Sequence, residues 1–439
     1  MDEKLQAHFD ERGFKKQTAI QEAVYDALAA GKTVVGIAPT GSGKTLAFTW
    51  PLLTRVMAGD GIQILVLEPS QELALQTAHV MREWASLLGI KVQSLTGGAN
   101  LRRQVERLKK GHPDIVVGTP GRVLHLLDNR NLKLKNLKTL VIDEADDLLR
   151  DDTQAVVEDI ERHTPLSTQL AFFSATSSKQ LEQASVIFGR DVVYFDVRKQ
   201  DQSRGPVKHG LLYARTMAQK AQMLERLSKT KNFRALVFFS SIKTLHYTAS
   251  RLKHAGVSSA TLGGRQRQTE REKVMRQFRK HQIKLLLTTD VAARGLDIPK
   301  LPAVVNYELP QTVEEYVHRT GRTGRQGEPG LVVNLGDDHD FRDLKKLLKD
   351  TEYHLEKLTI DNRQLTDEKA GANEQGETVR HENSRHIQKD QRKRDHAIQK
   401  SIHRTLDTFT KPKKKKRHKQ RKNKGIRLKH RRKSQNENK

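Results

Sequence analysis

Short apolar runs rich in β-branched residues alternate with longer helical patterns over most of the chain. This alternation is typical of parallel sheets that are covered by helices. Many of the runs end in a short polar or glycine-containing segment, and ligands bind at the carboxyl ends of strands in open α/β sheets. The pattern therefore predicts an α/β fold of two doubly wound parallel-sheet domains with a cleft between them. The runs are 33–37, 62–67, 114–117, 139–142 and 169–173 in the first set, and 235–239, 258–262, 283–287, 303–307 and 330–334 in the second.

A polar segment separates the two sets of runs. Residues 198–206 read Arg-Lys-Gln-Asp-Gln-Ser-Arg-Gly-Pro and interrupt the apolar periodicity. We therefore expect a first domain at 1–200, a linker at 201–207, a second domain at 208–352 and a basic, mostly disordered extension at 353–439.

The chain carries a large positive charge that is concentrated near its carboxyl end. Its 439 residues include 80 Lys and Arg against 52 Asp and Glu, a net charge of +28. Residues 378–439 contain 24 of those Lys and Arg but only 5 of the Asp and Glu, together with nine hydrophobic residues. So few apolar side chains cannot offset the entropy of ordering this tail, which we expect to be mostly disordered when free. The charge favours a polyanionic partner, above all nucleic acid.

Two features leave the role of this tail open. Ile398, Ile402, Leu406 and Phe409 recur at helical spacing, which is compatible with a helix that forms on a partner and equally with a solvated segment. Residues 411–419 form a basic cluster that would resemble a nuclear import signal in a eukaryote, or a phosphate-binding arm in any cell.

The composition also excludes several classes of protein. Because the chain has no cysteine, it cannot contain disulfides, a thiol nucleophile, an iron–sulfur cluster or a Cys-ligated zinc site. It has no apolar run of membrane-spanning length and no secretory signal pattern, so we expect a soluble cytoplasmic protein with no membrane partner.

A phosphate-binding motif follows the first run. Residues 38–45 read Ala-Pro-Thr-Gly-Ser-Gly-Lys-Thr and lead into a helical pattern, although Ala38 stands where the general P-loop pattern has glycine. In such a loop the backbone N–H groups surround phosphates, Lys44 reaches the outer phosphates and Thr45 ligates Mg²⁺. A glycine-rich turn without a ligand would not need Lys44 and Thr45. The predicted phosphate-contacting residues are Pro39, Thr40, Gly41, Ser42, Gly43, Lys44 and Thr45.

An acidic tetrapeptide ends the fourth run. Asp143 is suited to hold Mg²⁺ through its water shell, and Glu144 to orient or deprotonate an attacking water. An acidic strand end is often only a solvated turn, but its pairing with the P-loop motif strengthens the prediction of a site.

Arginines at a spacing of three residues follow the second set of runs. Residues 315–325 read Glu-Tyr-Val-His-Arg-Thr-Gly-Arg-Thr-Gly-Arg. Arg322 and Arg325 could bring guanidinium groups across the cleft to a γ-phosphate, or they could belong to a basic surface patch. The glycines between them favour a shaped site.

Taken in order, these motifs resemble the DEAD-box family of ATP-dependent RNA helicases in helicase superfamily 2, over roughly residues 10–340. The resemblance implies two RecA-like domains and an RNA-dependent ATPase that uses ATP and Mg²⁺. Its implied catalytic residues are Lys44, Asp143, Glu144, Arg322 and Arg325. By the same resemblance Phe14 and Gln21 contact adenine, and Asp297 holds the ribose. The resemblance also implies that Ser174 and Thr176 couple hydrolysis to strand separation through hydroxyl hydrogen bonds to Asp146 and His318.

The RNA-binding side is also carried over from the family. The implied residues are Pro69, Gln71, Gly97, Gly98, Thr119, Pro120, Gly121, Arg122, Gln268, Arg271 and Thr289. Hydroxyls, backbone amides and a few arginines can grip a sugar–phosphate track without reading bases. The chain departs from the family at Gln71, which replaces an arginine, and at Gln17, which replaces a proline. We expect ATPase competence with weaker RNA affinity in the core.

The expected mechanism is domain closure on ATP and RNA together, followed by local unwinding of short duplexes and reopening after hydrolysis. An ATP-gated RNA clamp or assembly platform with little unwinding is an alternative, as is ATP-independent strand annealing by the tail. We expect a monomer that acts on structured RNA, with ribosome assembly the favoured setting, and a nuclear or nucleolar location only if the source is eukaryotic.

Overall fold

The computed structural model describes residues 2–201, 205–263, 266, 268–293, 298, 300–325 and 327–367. Over these residues the chain forms two mainly parallel sheets, one of seven strands and one of eight. The sequence prediction of two doubly wound α/β domains is confirmed. The tail at 378–439 and Asp297 lie outside the described residues.

The first sheet has the strand order β3-β4-β2-β5-β6-β1-β7. Its strands are β1 (Thr33–Ile37), β2 (Ile64–Leu67), β3 (Val92–Leu95), β4 (Ile115–Gly118), β5 (Thr139–Ile142), β6 (Gln169–Ser174) and β7 (Val192–Asp196). Its helices are α1 (Glu3–Glu11), α2 (Ala19–Ala29), α3 (Lys44–Leu53), α4 (Gln71–Ser86), α5 (Leu101–Gly111), α6 (Pro120–Asp128), α7 (Ala145–Leu148), α8 (Asp151–Arg162), α9 (Lys179–Glu182) and α10 (Ala184–Phe188).

The central strands of this sheet are buried on both faces, which explains their continuous β-branched and leucine-rich sequence. Val66 and Val141 face a core that includes side chains of α3 and α4. Leu67 and Ile142 face the opposite core, which includes side chains of α6 and α8. The two faces therefore meet different helices, and successive residues of one strand serve different cores.

The second sheet has the order β10-β11-β9-β12-β13-β8-β14-β15, and its pairs are parallel except β14 with β15. Its strands are β8 (Val207–Tyr213), β9 (Ala235–Phe239), β10 (Ser259–Leu262), β11 (Leu285–Thr289), β12 (Ala303–Asn306), β13 (Gly330–Gly336), β14 (Leu355–Asp361) and β15 (Gln364–Asp367). Its helices are α11 (Met217–Ser228), α12 (Ile242–His254), α13 (Gln268–Arg279), α14 (Asp290–Ala293), α15 (Val313–Thr320) and α16 (Asp338–Leu347).

The structure corrects the predicted start of the extension at residue 353. Leu355 of β14 pairs with His209 of β8, and Leu358 and Ile360 of the same strand belong to the core of the second sheet. Charged residues between the apolar ones in β14 and β15 hid these strands from the sequence pattern. The second sheet therefore continues to Asp367.

Within the described part of the chain, no helix combines the length and apolar character needed to cross a membrane.

Candidate active site

The loop after β1 wraps around the first turn of α3. Gly41 and Gly43 adopt φ values of +88° and +86°, which other residues rarely tolerate. Lys44 is buried, and its Nζ donates to the carbonyl of Ala38 at 3.1 Å, on the far side of the loop. The hydroxyl of Ser42 is also buried and has no hydrogen-bond partner among the described residues. The loop thus presents a buried amine and an unused hydroxyl, as a phosphate site requires.

The side chain of Gln21 is hydrogen-bonded to this loop. Its Nε2 donates to the carbonyl of Gly43 at 3.3 Å, and its Oε1 accepts from the backbone N–H of Thr18 at 2.9 Å. A Cβ atom on Gly43 would lie 2.5 Å from the Gln21 amide nitrogen, so a larger residue would have to displace this hydrogen-bonded side chain. Phe14 lies on the surface with 38% of its area exposed and packs on Phe9. Contacts of Gln21 and Phe14 with adenine remain a prediction.

Two adjacent carboxylates, Asp143 and Glu144, follow the end of β5. Oδ1 of Asp143 accepts from the backbone N–H of Glu144 at 2.9 Å, and Glu144 itself has a left-handed φ of 46°. Burial and the adjacent charge of Glu144 raise the pKa of Asp143 to about 7. Oε2 of Glu144 has no hydrogen-bond partner within the described residues. Lys44 lies close enough to Asp143 for its charge to act against this rise in pKa. Thr45 follows Lys44 directly, so its hydroxyl and the carboxylates are the kind of oxygen donors that Mg²⁺ prefers.

Asp146 connects the two domains. Its Oδ2 accepts from Thr176, on the loop after β6, and lies 3.0 Å from Nε2 of His318 on α15. Burial alone would raise the pKa of Asp146, but the hydrogen bonds and positive charge of its partners hold it well below the usual range. Burial alone would lower the pKa of His318, but the hydrogen bond and charge of Asp146 raise it. The structure therefore favours a charged pair here.

Ser174 makes different contacts from those expected. Its hydroxyl donates to the carbonyl of Thr176 at 2.6 Å and accepts from the N–H of the same residue at 3.1 Å. It shapes the turn that places Thr176 beside Asp146, and within the described part of the chain it makes no hydrogen bond to Asp146 or His318.

The arginine segment packs against the P-loop. The side chain of Arg325 lies so close to Gly41 that a Cβ atom there would be 3.4 Å from Cγ of Arg325. A Cβ atom on Gly321 would meet Thr40 at 3.0 Å. Nε of Arg325 donates to the carbonyl of Gly321 at 2.8 Å, which holds the segment in a tight turn. Arg322 follows directly after Gly321 and is partly buried.

Arg319 was not among the predicted residues, yet it anchors this segment. It is 1% exposed and forms two hydrogen bonds of 2.6 Å with the carboxylate of Asp290. It also donates to Asn306 and to the carbonyl of Glu308. A buried arginine needs such partners, and its position within the 315–325 motif was the available signal in the sequence.

The predicted RNA-binding residues of the first domain follow β2, β3 and β4 at the carboxyl edge of the first sheet. Pro69, Thr119, Pro120 and Gly121 contribute to one open pocket, and the side-chain amide of Gln71 lies against Gly97 and Gly98. Arg122 donates to Oε1 of Gln104 at 2.7 Å. These contacts fix the loops that follow β2, β3 and β4 relative to one another, and the open surface that these loops form is the groove.

Arg271 takes part in an ion pair between the domains. It lies 2.7 Å from Oε1 of Glu72 and also donates to the carbonyls of Gly263 and Ala292. Glu72 was missed by the sequence analysis because no local pattern reveals its distant partner. Thr289 ends β11 and is partly buried, whereas the side chain of Gln268 lies outside what the structure describes.

Two doubly wound sheets, a glycine-rich loop before a helix and carboxylates at a nearby strand end define a P-loop nucleoside triphosphatase. The DEAD/DEAH box helicase family model matches residues 18–184, and the helicase conserved C-terminal domain model matches residues 219–327. The chain belongs to the DEAD-box family of ATP-dependent RNA helicases, which are enzymes that hydrolyse ATP.

Named relatives and a solved structure agree with this assignment. The chain is 37% identical to the probable ATP-dependent RNA helicase YfmL of Bacillus subtilis, over 79% of this chain and 91% of that protein. It is 36% identical to the DEAD-box ATP-dependent RNA helicase CshC of Bacillus cereus, over 79% and 88%. The structure of S. cerevisiae Dbp5 bound to RNA and ADP BeF3 matches with a TM-score of 0.73 and 28% identity, covering 81% of this chain and 93% of that one.

Proposed function

We propose that this helicase couples ATP binding and hydrolysis to closure of its two domains on RNA, and that closure locally separates short duplexes or remodels ribonucleoprotein. The observation that carries the proposal is the hydrogen bond between Asp146 and His318, 172 residues apart, beside the P-loop. Nucleotide-binding segments of the first domain thus contact the second domain directly. Binding of ATP can therefore favour one arrangement of the domains.

The roles of the site residues follow from their chemistry. Lys44 and the loop amides bind the phosphates, and Glu144 orients the attacking water. Arg322 and Arg325 stabilise negative charge on the γ-phosphate from the second domain. Phe14 and Gln21 select adenine, and Asp297 holds the ribose.

The carboxylate of Asp143 and the hydroxyl of Thr45 would hold Mg²⁺. When bound, the ion neutralises charge on the β- and γ-phosphates. The raised pKa of Asp143 supports this assignment, because a buried carboxylate among other carboxylates is relieved by a cation.

RNA is the proposed partner on the groove side. The groove residues offer backbone amides, hydroxyls and arginine, which suit a sugar–phosphate track. The names of the relatives as RNA helicases and the RNA in the Dbp5 complex support this choice. The residues proposed to contact RNA are Pro69, Gln71, Gly97, Gly98, Thr119, Pro120, Gly121, Arg122, Gln268, Arg271 and Thr289.

We propose that the first domain spans residues 1–200 and that the second begins at residue 208. Residues 201–207 form the linker between them. We also propose a cytoplasmic monomer that acts on structured RNA, with ribosomal RNA as the first candidate because of the basic tail.

An ATP-gated clamp with little unwinding is the second candidate function. The interdomain ion pair of Arg271 and Glu72 favours it, since this pair stabilises the closed arrangement itself.

Unwinding of a short RNA duplex, measured beside release of a bound single strand, tests the proposal. We expect ATP-dependent unwinding by the full chain and none by Lys44→Ala. Nucleotide-dependent retention of RNA without unwinding would support the clamp, and failure of nucleotide to affect either signal would refute both functions.

A further inference from the structure

Glu68 lies beside the proposed metal site but has no role in the mechanism described so far. It follows directly after β2, whose last residue, Leu67, is paired in parallel register with Ile142 of β5. The backbone N–H of Asp143 donates to the carbonyl of Leu67 at 3.1 Å. Glu68 and Asp143 are therefore neighbours at the carboxyl edge of adjacent strands, which lie about 4.8 Å apart in a sheet.

The two carboxylates share one face of the sheet. Leu67 and Ile142 both point into the core that includes α6 and α8. Because side chains alternate along a strand, the next residue on each strand turns to the face covered by α3 and α4. A contact confirms this for Glu68, whose Oε1 accepts from the hydroxyl of Thr77 on α4 at 2.5 Å.

The other oxygen of Glu68 is left without a partner. Glu68 is fully buried, and Oε2 makes no hydrogen bond to any residue that the structure describes. The charged groups that act on it are Asp143, Glu144 and Lys44. Burial and the charge of Asp143 raise the pKa of Glu68 well above its usual value. A buried carboxylate oxygen without a hydrogen-bond partner is destabilising, so a ligand for it is expected.

We propose that Glu68 is a positioning residue for the nucleotide-bound Mg²⁺, with Oε2 accepting a hydrogen bond from a water of the metal while Thr77 fixes Oε1. The proposal rests on the function proposed above. It adds a carboxylate outside the P-loop and the acidic tetrapeptide, held by a different strand and helix. Partners of this kind orient metal ligands, and their loss commonly weakens metal binding by about 10–100-fold.

Binding of Mn²⁺ to the full-length protein with a non-hydrolysable ATP analogue tests the proposal without requiring catalysis. The fraction of bound Mn²⁺ can be followed by electron paramagnetic resonance. We expect Glu68→Gln to raise the Mn²⁺ concentration for half-saturation about tenfold. Thr77→Val, which keeps the carboxylate but removes its anchor, should cause a smaller increase. Glu158→Gln removes a carboxylate of α8 and serves as the control, with no expected change.

Thermal unfolding in the absence of metal provides a second measurement. Glu68→Gln should raise the melting temperature of the metal-free protein, because it removes one of two adjacent buried carboxylates. The gain should shrink when metal and nucleotide are added. If Glu68→Gln does not fold, Glu68→Asp retains the charge but shortens its reach, and a tenfold weaker Mn²⁺ affinity in that variant would support the same role.

Unchanged Mn²⁺ affinity in folded Glu68→Gln would overturn the proposal. This failure is distinct from failure of the proposed function. A wild-type protein that binds Mn²⁺ and nucleotide but neither retains nor unwinds RNA would refute the function, whereas the effect of Glu68→Gln on Mn²⁺ would still decide the role of Glu68.

Discussion

Replacement of His318 by alanine should weaken RNA binding only in the ATP-bound state. His318 provides the partner from the second domain for Asp146, which is 1% exposed. The substitution leaves the Asp146 carboxylate with Thr176 as its hydrogen-bond partner among the described residues. A hydrogen bond to a charged group contributes roughly 1.5–3 kcal/mol, and in this case the contribution belongs to the closed arrangement of the domains. The closed population should therefore fall about ten- to hundredfold.

Fluorescence anisotropy of a labelled single-stranded RNA measures this effect directly. With a non-hydrolysable ATP analogue, the RNA affinity of His318→Ala should fall by that factor, and without nucleotide it should match the wild type. His254→Ala, on the exposed end of α12, is the control and should change neither value. An equal loss of affinity with and without nucleotide, or no loss in either state, would refute the view that His318 stabilises closure.

Four further outcomes follow from the geometry of the site. Arg325→Ala should lower the rate of ATP hydrolysis about a thousandfold while retaining nucleotide binding, as measured by steady-state kinetics and nucleotide titration. Glu144→Gln should trap the RNA-bound closed state, and unchanged RNA dissociation rates with ATP would contradict this. The pKa of His318 is raised in the closed state, so its contribution to closure should be complete below the ordinary histidine pKa of about 6.5. That contribution should be lost as the pH rises through the raised pKa. RNA affinity with nucleotide should therefore fall over this pH range in the wild type but not in His318→Ala. Removal of residues 378–439 should lower RNA affinity equally with and without ATP and flatten its salt dependence, which titrations at several salt concentrations would reveal.

The sequence predicted most of the central strands because their signal is local, but it missed β8, which lies inside the second sheet. Runs such as β2 and β5 are continuously apolar, since both faces of the sheet are covered. The edge strands β3 and β7 were missed because their residues are partly exposed and their sequences are short or mixed. The strands β14 and β15 were missed for the same reason, and the predicted domain boundary at 352 was too early.

The parts of the site whose residues lie together in one short motif could be predicted from the sequence. Lys44 and the loop around it lie within eight consecutive residues, so their proximity needs no knowledge of the fold. The direct contact between Asp146 and His318 was not predicted, because the family resemblance implied only hydroxyl hydrogen bonds from Ser174 and Thr176 to these two residues. Glu68 beside Asp143, and Glu72 against Arg271, depend on strand register and on the contact between domains. Such pairings leave no local pattern in a single sequence.

ATP hydrolysis by the full chain, measured with no nucleic acid, with single-stranded RNA, with an RNA hairpin and with DNA of equal length, tests the central claim most directly. If the nucleotide site is coupled to the groove, either RNA should strongly stimulate ATP hydrolysis and DNA should stimulate it little. The stimulation by RNA should be lost in His318→Ala. Equal hydrolysis rates under all four conditions, in a protein that hydrolyses ATP and binds RNA, would contradict that coupling.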